Sequence, residues 1–207
     1  ISLLIALGIR RDGQKVVLAI KSMGGESEAA WRQLLDDLTA RGMAKPELVV
    51  VDGGKGLEAA VASLWTAVPV QRCTVHKERN LLAHAPKQLH EEIKADFNDM
   101  MHAKTAADVR AKRKAFLAKW KLRCRAVADS LEEAGERLFT FLRYPPEQWR
   151  SLRTTDEIDK GFCGVGQGRG ARAAATAKRM VSRPAAPSGH QVLDTRCRWA
   201  RRAASTK

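Results

Sequence analysis

The chain is short of acid and of aromatic side chains. Its 207 residues hold 23 Asp and Glu against 37 Lys and Arg, and one Tyr beside five Trp and five Phe. No apolar run approaches membrane-spanning length and no signal-peptide pattern is present, so no membrane partner is expected. Cys73, Cys124, Cys163 and Cys197 lie far apart and form no framework, which points to reduced thiols in a cytoplasmic setting. The shortage of acid is uneven. Residues 1–159 carry 26 basic and 22 acidic side chains, whereas residues 160–207 carry 11 and one, Asp194. Basicity is therefore largely a property of the tail. It could hold phosphates without sequence preference, or be solvated with no partner. The tail is Ala/Arg/Gly-rich, has few large apolar residues and no periodic face, and reads as disordered. The chain opens on Ile1 rather than Met and reads as an internal fragment.

Against that background one carboxylate stands out. Leu48-Val49-Val50-Val51 is all-apolar and mostly β-branched, as in a strand buried on both faces, and it ends on Asp52-Gly53-Gly54-Lys55-Gly56. A carboxylate at the carboxyl end of such a strand stands where open α/β sheets bind ligands, and its charge needs a partner or a metal there. Alternatively, Asp52 starts a turn or caps the next helix. A phosphate-binding loop is excluded, because the first glycine is missing and Gly56 replaces the required Ser or Thr.

The patterning predicts a strand over 2–9, an Asp12-Gly13 hairpin and a returning strand over 15–20. A helix follows from Ser27, with Ala30, Trp31, Leu34, Leu35 and Leu38 on one face, ended by Gly42 and Pro46. The strand over 48–51, a helix to Leu64 and a strand over 68–75 come next. This order gives a mixed sheet with helices packed on it. Residues 77–143 are Lys-, Ala- and Leu-rich with almost no turn signals, which predicts an insertion of three or four helices.

Two further segments carry chemistry. Cys73 and His76 have the spacing of half a zinc site, but no second pair matches, so a buried Cys with a hydrogen-bonded His or a polar site lining is expected. Arg72, Lys77 and Arg79 form a basic cluster that either faces phosphates or is a solvated charge run. Asp156, Glu157 and Asp159 follow Thr154-Thr155. As a helix they would set Asp156 and Asp159 on one face, or simply fill a capped first turn.

These segments, in this order, resemble the Mutator-type transposases of bacterial insertion sequences. The resemblance rests on the Ala6–Gly13 hairpin, on Trp31–Gly42 with Leu34, Leu35, Leu38 and Arg41, and on Val51-Asp52-Gly53-Gly54-Lys55-Gly56-Leu57. It continues in Gln71-Arg72-Cys73-x-Val75-His76-Lys77-x-Arg79-Asn80 and Leu152-Arg153-Thr154-Thr155-Asp156-x-Ile158-Asp159-x-x-Phe162. It covers about residues 1–162. The resemblance implies an α/β chain with a partial ribonuclease H-like core over 1–76, lacking its first strand, and a helical insertion over 77–146. It further implies a return to the core over 147–162, leaving the basic tail over 163–207.

The implied activity is metal-dependent DNA strand cleavage and transfer at element ends. Asp52 and Asp159 are the expected catalytic, Mg²⁺-binding carboxylates of a two-ion site. Cys73 and His76 would support that site or contact DNA, and Lys55, Arg72, Lys77 and Arg79 would contact phosphates. Element-end and target DNA, and another transposase copy, are the implied partners, in a bacterial cytoplasm near the nucleoid. Three departures accompany the resemblance. The family's first acid precedes the hairpin, and Asp12 sits in the turn. Asp159 stands where the family has Glu, with Glu157 two positions off the motif, and Asp156 replaces an Asn. A displacement near 1 Å can cost about 10²-fold in rate, so weak activity is expected of this chain alone. The tail departs as a shifted reading frame would. The alternatives are a catalytically dead DNA-binding or transposase-associating remnant, and a DNA-repair nuclease with a similar Asp-Gly-Gly-Lys-Gly run. The Cys73–Asn80 signature and the helical insertion speak against the latter.

Overall fold

The computed structural model describes residues 2–9 and 14–155, and the backbone of 175–182. Strand β1 (Ser2–Ile9) pairs antiparallel with β2 (Lys15–Met23), with Ile5 opposite Ile20 and a bulge between Ala6 and Leu7. The predicted Asp12-Gly13 turn lies outside the described residues. Strand β1 is buried from Leu4 onward, whereas β2 alternates and exposes Val17 and Ile20, as an edge strand does.

Helix α1 (Glu28–Ala40) begins at Ser27, whose side chain accepts a hydrogen bond from Ala30 N at 3.2 Å. Its buried residues are the five apolar positions that the periodicity picks out. Gly42, at φ +89°, follows its end. Strand β3 (Pro46–Val51), helix α2 (Lys55–Leu64) and strand β4 (Val70–Arg72) form a β–α–β unit with parallel strands.

Strand β3 divides its side chains between two cores. Val49 and Val51 join Leu4, Ala6 and the apolar faces of α1 and α2. Leu48 and Val50 join the core of the helical region. Leu48 to Val51 have no accessible surface, as a strand covered on both faces requires.

The fourth strand is shorter than the sequence predicts. The run to Val75 reads as extended, but Cys73 turns the chain and helix α3 (Thr74–Ala83) begins at once. The Cys73 amide donates to Val51 O at 2.7 Å and closes the ladder there. Helices α4 (His90–Met101), α5 (Ala106–Arg123) and α6 (Arg125–Ala134) follow, then a 3₁₀ segment, Gly135–Arg143, and helix α7 (Trp149–Leu152). Their shared core includes Leu81, Phe97, Phe116, Trp120, Leu131 and Phe141. The 3₁₀ segment covers the outer edge of β4. Buried Gln71 donates to Leu138 O at 2.8 Å and accepts from Phe141 N at 2.8 Å, and Thr140 Oγ1 donates to Val70 O at 2.7 Å.

One finding corrects the expectation of a disordered tail for residues 175–182, while the rest of 163–207 lies outside the described residues. Residues Ala175–Ser182 form strand β5, seated between β1 and β3, so the sheet order is β2-β1-β5-β3-β4. Strand β5 runs parallel to β1 and antiparallel to β3. The physical reason lies in the backbone. Two buried strands facing each other across a gap would leave rows of N–H and C=O groups without partners. Any extended segment satisfies them, so a stretch without an apolar period can form a strand here.

Candidate functional site

Asp52 follows the last residue of β3 and is half-buried. Its Oδ1 accepts from Gly54 N at 3.0 Å, so the carboxylate does start a turn, and that bond also fixes its orientation. Gly53 takes φ +106°, a conformation that favours glycine. A Cβ there would also press on the Arg72 guanidinium, 2.7 Å from Cζ and 2.9 Å from Nε, which would have to shift. The Asp52 turn thus rests on Arg72.

Arg72 and Lys77, expected at phosphates, are instead interior cations, only 4% and 2% exposed. Arg72 Nη1 lies 3.5 Å from Glu58 Oε1 on α2 and 3.1 Å from Glu133 Oε1 on α6. Lys77 Nζ lies 3.0 Å from Glu133 Oε2 and donates to Ser130 Oγ at 3.1 Å. Arg137 reaches the other oxygen of Glu58 at 2.6 Å. Burial pushes the Lys77 ammonium below its ordinary value, and Glu133 restores only part of that. Burial opposes the charge of Glu133, but hydrogen bonds from Lys77 and Arg72 outweigh it and hold the carboxyl below the usual glutamate range. Burial and these counter-charges correct the phosphate-contact expectation for both cations, which join the helical region to the sheet. Sequence reasoning missed their partners because Glu133 lies about sixty residues away on a helix whose acids look like an ordinary solvated face. Lys55 and Arg79 are exposed.

Cys73 and His76 come together. His76 Nδ1 lies 3.4 Å from Cys73 Sγ, and Thr155 donates to the same sulfur from its amide at 3.3 Å and its hydroxyl at 3.2 Å. Thr155 Oγ1 is 3.5 Å from His76 Nδ1, and Thr154 Oγ1 is 3.8 Å from the sulfur. Burial pushes the thiol up, but the His76 and Thr155 hydrogen bonds outweigh it and bring it down to about 7. Two residues before Thr155, Arg153 O accepts from Thr74 N at 2.9 Å and from Thr74 Oγ1 at 3.1 Å. Arg153 Nη1 also donates to Met101 O at the end of α4. The bond of Thr155 to a cysteine 82 positions earlier leaves no local signal in the sequence.

Asp159 lies outside the described residues, as do Asp12, Asp156 and Glu157. Among the described residues no group of three metal-ligating side chains forms. Asp52, an oriented carboxylate at a strand end, fits as one ligand of a hard cation and does not make a two-ion site by itself. No helix among the described residues is long and apolar enough to cross a membrane.

A model of the Mutator family of transposases matches residues 1–160. The chain is similar to the transposase for insertion sequence element IS6120 of Mycolicibacterium smegmatis, 34% identical over 192 residues, covering 89% of this chain and 59% of that protein. A match of that extent reaches past residue 162, where the sequence resemblance was expected to stop. The transposase for IS905 of Lactococcus lactis is 35% identical over 155 residues, covering 75% of this chain and 39% of its own length. That for ISRM5 of Rhizobium meliloti is 32% identical over 159 residues, covering 77% and 40%. The chain thus spans between 39% and 59% of the length of these three relatives. On the family match and these identities, the chain belongs to the Mutator family of transposases.

Proposed function

We propose that this chain carries part of the DNA strand-cleaving and strand-transferring core of an insertion-sequence transposase, on a ribonuclease H-like sheet, in the bacterial cytoplasm. Family membership supports the reaction class, and the mixed sheet with helices between Asp52 and Thr155 supports the fold. The observation that carries the site is the pinning of Thr155. The Cys73 amide bonds Val51 O, next to Asp52, and the Cys73 sulfur bonds the Thr155 amide. Asp159 is four positions on from Thr155, a span of at most about 14 Å when fully extended. A tether of that length permits the two carboxylates to approach one another.

In this reading Asp52 and Asp159 hold Mg²⁺. Bound there, the ions would polarise a scissile phosphodiester and activate its attacking oxygen. The chain's own residues orient and position. Gly54 N aims the Asp52 carboxylate, Arg72 supports the turn from below, and Cys73 with His76 holds the segment leading to Asp159. Exposed Lys55 and Arg79 are the residues offered to DNA phosphates.

The test is Mn²⁺ binding followed by electron paramagnetic resonance, together with Mg²⁺-dependent cleavage of element-end DNA. Asp52→Asn should weaken ion binding by about 100-fold, since even outer-sphere partners of a metal are worth 10–100-fold. Cleavage by the unaltered chain should be slow and should vanish in the variant. Ion affinity unchanged by Asp52→Asn would overturn the proposal. DNA binding that persists in Asp52→Ala without any cleavage would assign the chain a non-catalytic DNA-binding role instead.

A further inference from the structure

Helix α5 presents three different flanks. Val109, Phe116 and Trp120 face the core of the helical region. On the flank toward α4 each cation has an acid. Lys112 pairs with Asp99 at 2.5 Å, Lys119 with Asp96 at 2.6 Å, and Arg123 with Glu92. The third flank carries Arg110, Arg113, Lys114 and Lys121, whose helical spacing sets them on one face. It borders the 3₁₀ segment, whose Arg143 joins Arg110 and Arg113 around a cavity of about 230 Å³. Five cations here meet two acids, Glu136 and Glu132, which pair with Arg113 at 2.5 Å and with Lys121 at 2.7 Å. Arg110, Lys114 and Arg143 are exposed, and none is paired with an acid among the described residues. Arg113 is also held by an aromatic ring, its guanidinium 4.7 Å from the centre of Phe139.

We infer that this flank of α5, together with Arg143, is a docking surface for the phosphate backbone of duplex DNA, and that it holds the duplex without reading its sequence. The inference rests on the reading of the chain as a DNA-acting transposase, and deepens it by placing a contact surface on the helical region. Charge carries it. Arg110 and Lys114 stand four positions apart on one helix, an arrangement that repels in the isolated chain. The α4 flank shows cations of the same helix balanced one for one by acids, whereas the third flank has a surplus. A polyanion supplies the missing counter-charge. The strip is too long for a single small anion, since Arg110 to Lys121 spans about 16 Å along the axis, roughly five base-pair steps of a duplex. Its donors suit phosphate oxygens. Glu136 and Phe139 fix the Arg113 guanidinium, and Arg110 and Arg143 offer planar forks at the same cavity. Contacts to phosphates fix position on the duplex and carry no base information.

The test uses the full chain and a fluorescein-labelled DNA duplex of arbitrary sequence, titrated by anisotropy across a salt series. One variant combines Arg110→Gln, Lys114→Gln and Arg143→Gln. A control combines Arg32→Gln, Lys94→Gln and Lys112→Gln, which removes the same charge from cations paired with Asp36, Glu91 and Asp99. The slope of log affinity against log salt should fall by about 2–3 in the first variant, since each phosphate contact contributes about 0.9. Its affinity near 0.1 M salt should fall by at least about tenfold. Arg143→Gln alone should lower the slope by about 1, and the control should lower it by less than that. The basic residues of 160–207 are common to all these proteins, so the differences belong to the replaced side chains. A first variant that binds as the control does would overturn the docking surface and leave the transposase reading in place. Wild type that binds no duplex would overturn both. A larger loss on an RNA duplex than on DNA would assign the surface to the other polymer and overturn the choice of DNA.

Discussion

Gly56→Ala is expected to cost about 3 kcal/mol or more, the upper range for inserting atoms where there is no space. A Cβ at this position would collide with Glu26 O and lie 2.9 Å from Ser27 C and 3.0 Å from Glu28 N. All three are backbone atoms. They belong to the entry of α1, where Ser27 caps the helix. No rotamer change relieves such a clash. Either α2 lifts away from α1, or the Ser27 cap is lost and Ala30, Trp31 and Leu34 lose their packing. The thermal midpoint should fall by about 6–12 °C for a chain of this size. Gly42→Ala is the matched control, strained by φ +89° but with nothing within 4 Å of the added methyl. Calorimetry that finds Gly56→Ala no worse than Gly42→Ala would show that the contact between the two helix starts is loose.

Glu133→Gln should be the next most damaging change, at about 2–3 kcal/mol. Removing one partner from a buried ion pair costs about 3–5 kcal/mol, and the 59% exposure of the Glu133 side chain reduces that figure. Arg72 would keep Glu58 at 3.5 Å. Lys77, with 2% of its surface exposed, would keep the Ser130 hydroxyl and lose its counter-charge. The companion variant Lys77→Met removes the stranded charge while filling a similar space. In the Glu133→Gln background it should restore more than half of the lost stability. Failure to recover would mean that the cost is not an unpaired ammonium.

The pH dependence follows from the same pair. The folded Glu133 carboxyl lies below its ordinary value of 4.5. Its contribution is complete above that value and is lost as pH falls through the lower folded one. Acid unfolding of wild type should therefore steepen below about pH 4.5, and Glu133→Gln should lack that component.

The strand and turn around Asp52 were legible because both signals are local. Four apolar residues in a row report burial on two faces, and Gly53 and Gly54 report a turn that other residues cannot make. The α1 face was legible for the same reason. What escaped was set by distant partners. Arg72 and Lys77 look like surface cations until Glu58 and Glu133 are brought against them. The strand expected to reach Val75 stops at Arg72, because an apolar alternation cannot reveal that the Cys73 amide turns back to Val51. Thr155 gave no sign of its sulfur partner. Strand β5 was invisible because its seat is defined by two other strands' backbones, not by its own apolar pattern.

The seat of β5 bears on how the sheet is assembled as the chain is made. Strand β1 and strand β3 are not neighbours, and each bonds to β5 instead. The hairpin at one edge and the β–α–β unit at the other emerge early, yet they cannot be zipped together until residue 182 is available. More than a hundred residues are synthesised between the end of β4 and the start of β5. Pairings that span so much chain are entropically late and slow. Until that keystone arrives, two apolar strands present open edges to each other and to any neighbour, which makes the ribosome-bound intermediate the stage at which this protein most needs a chaperone.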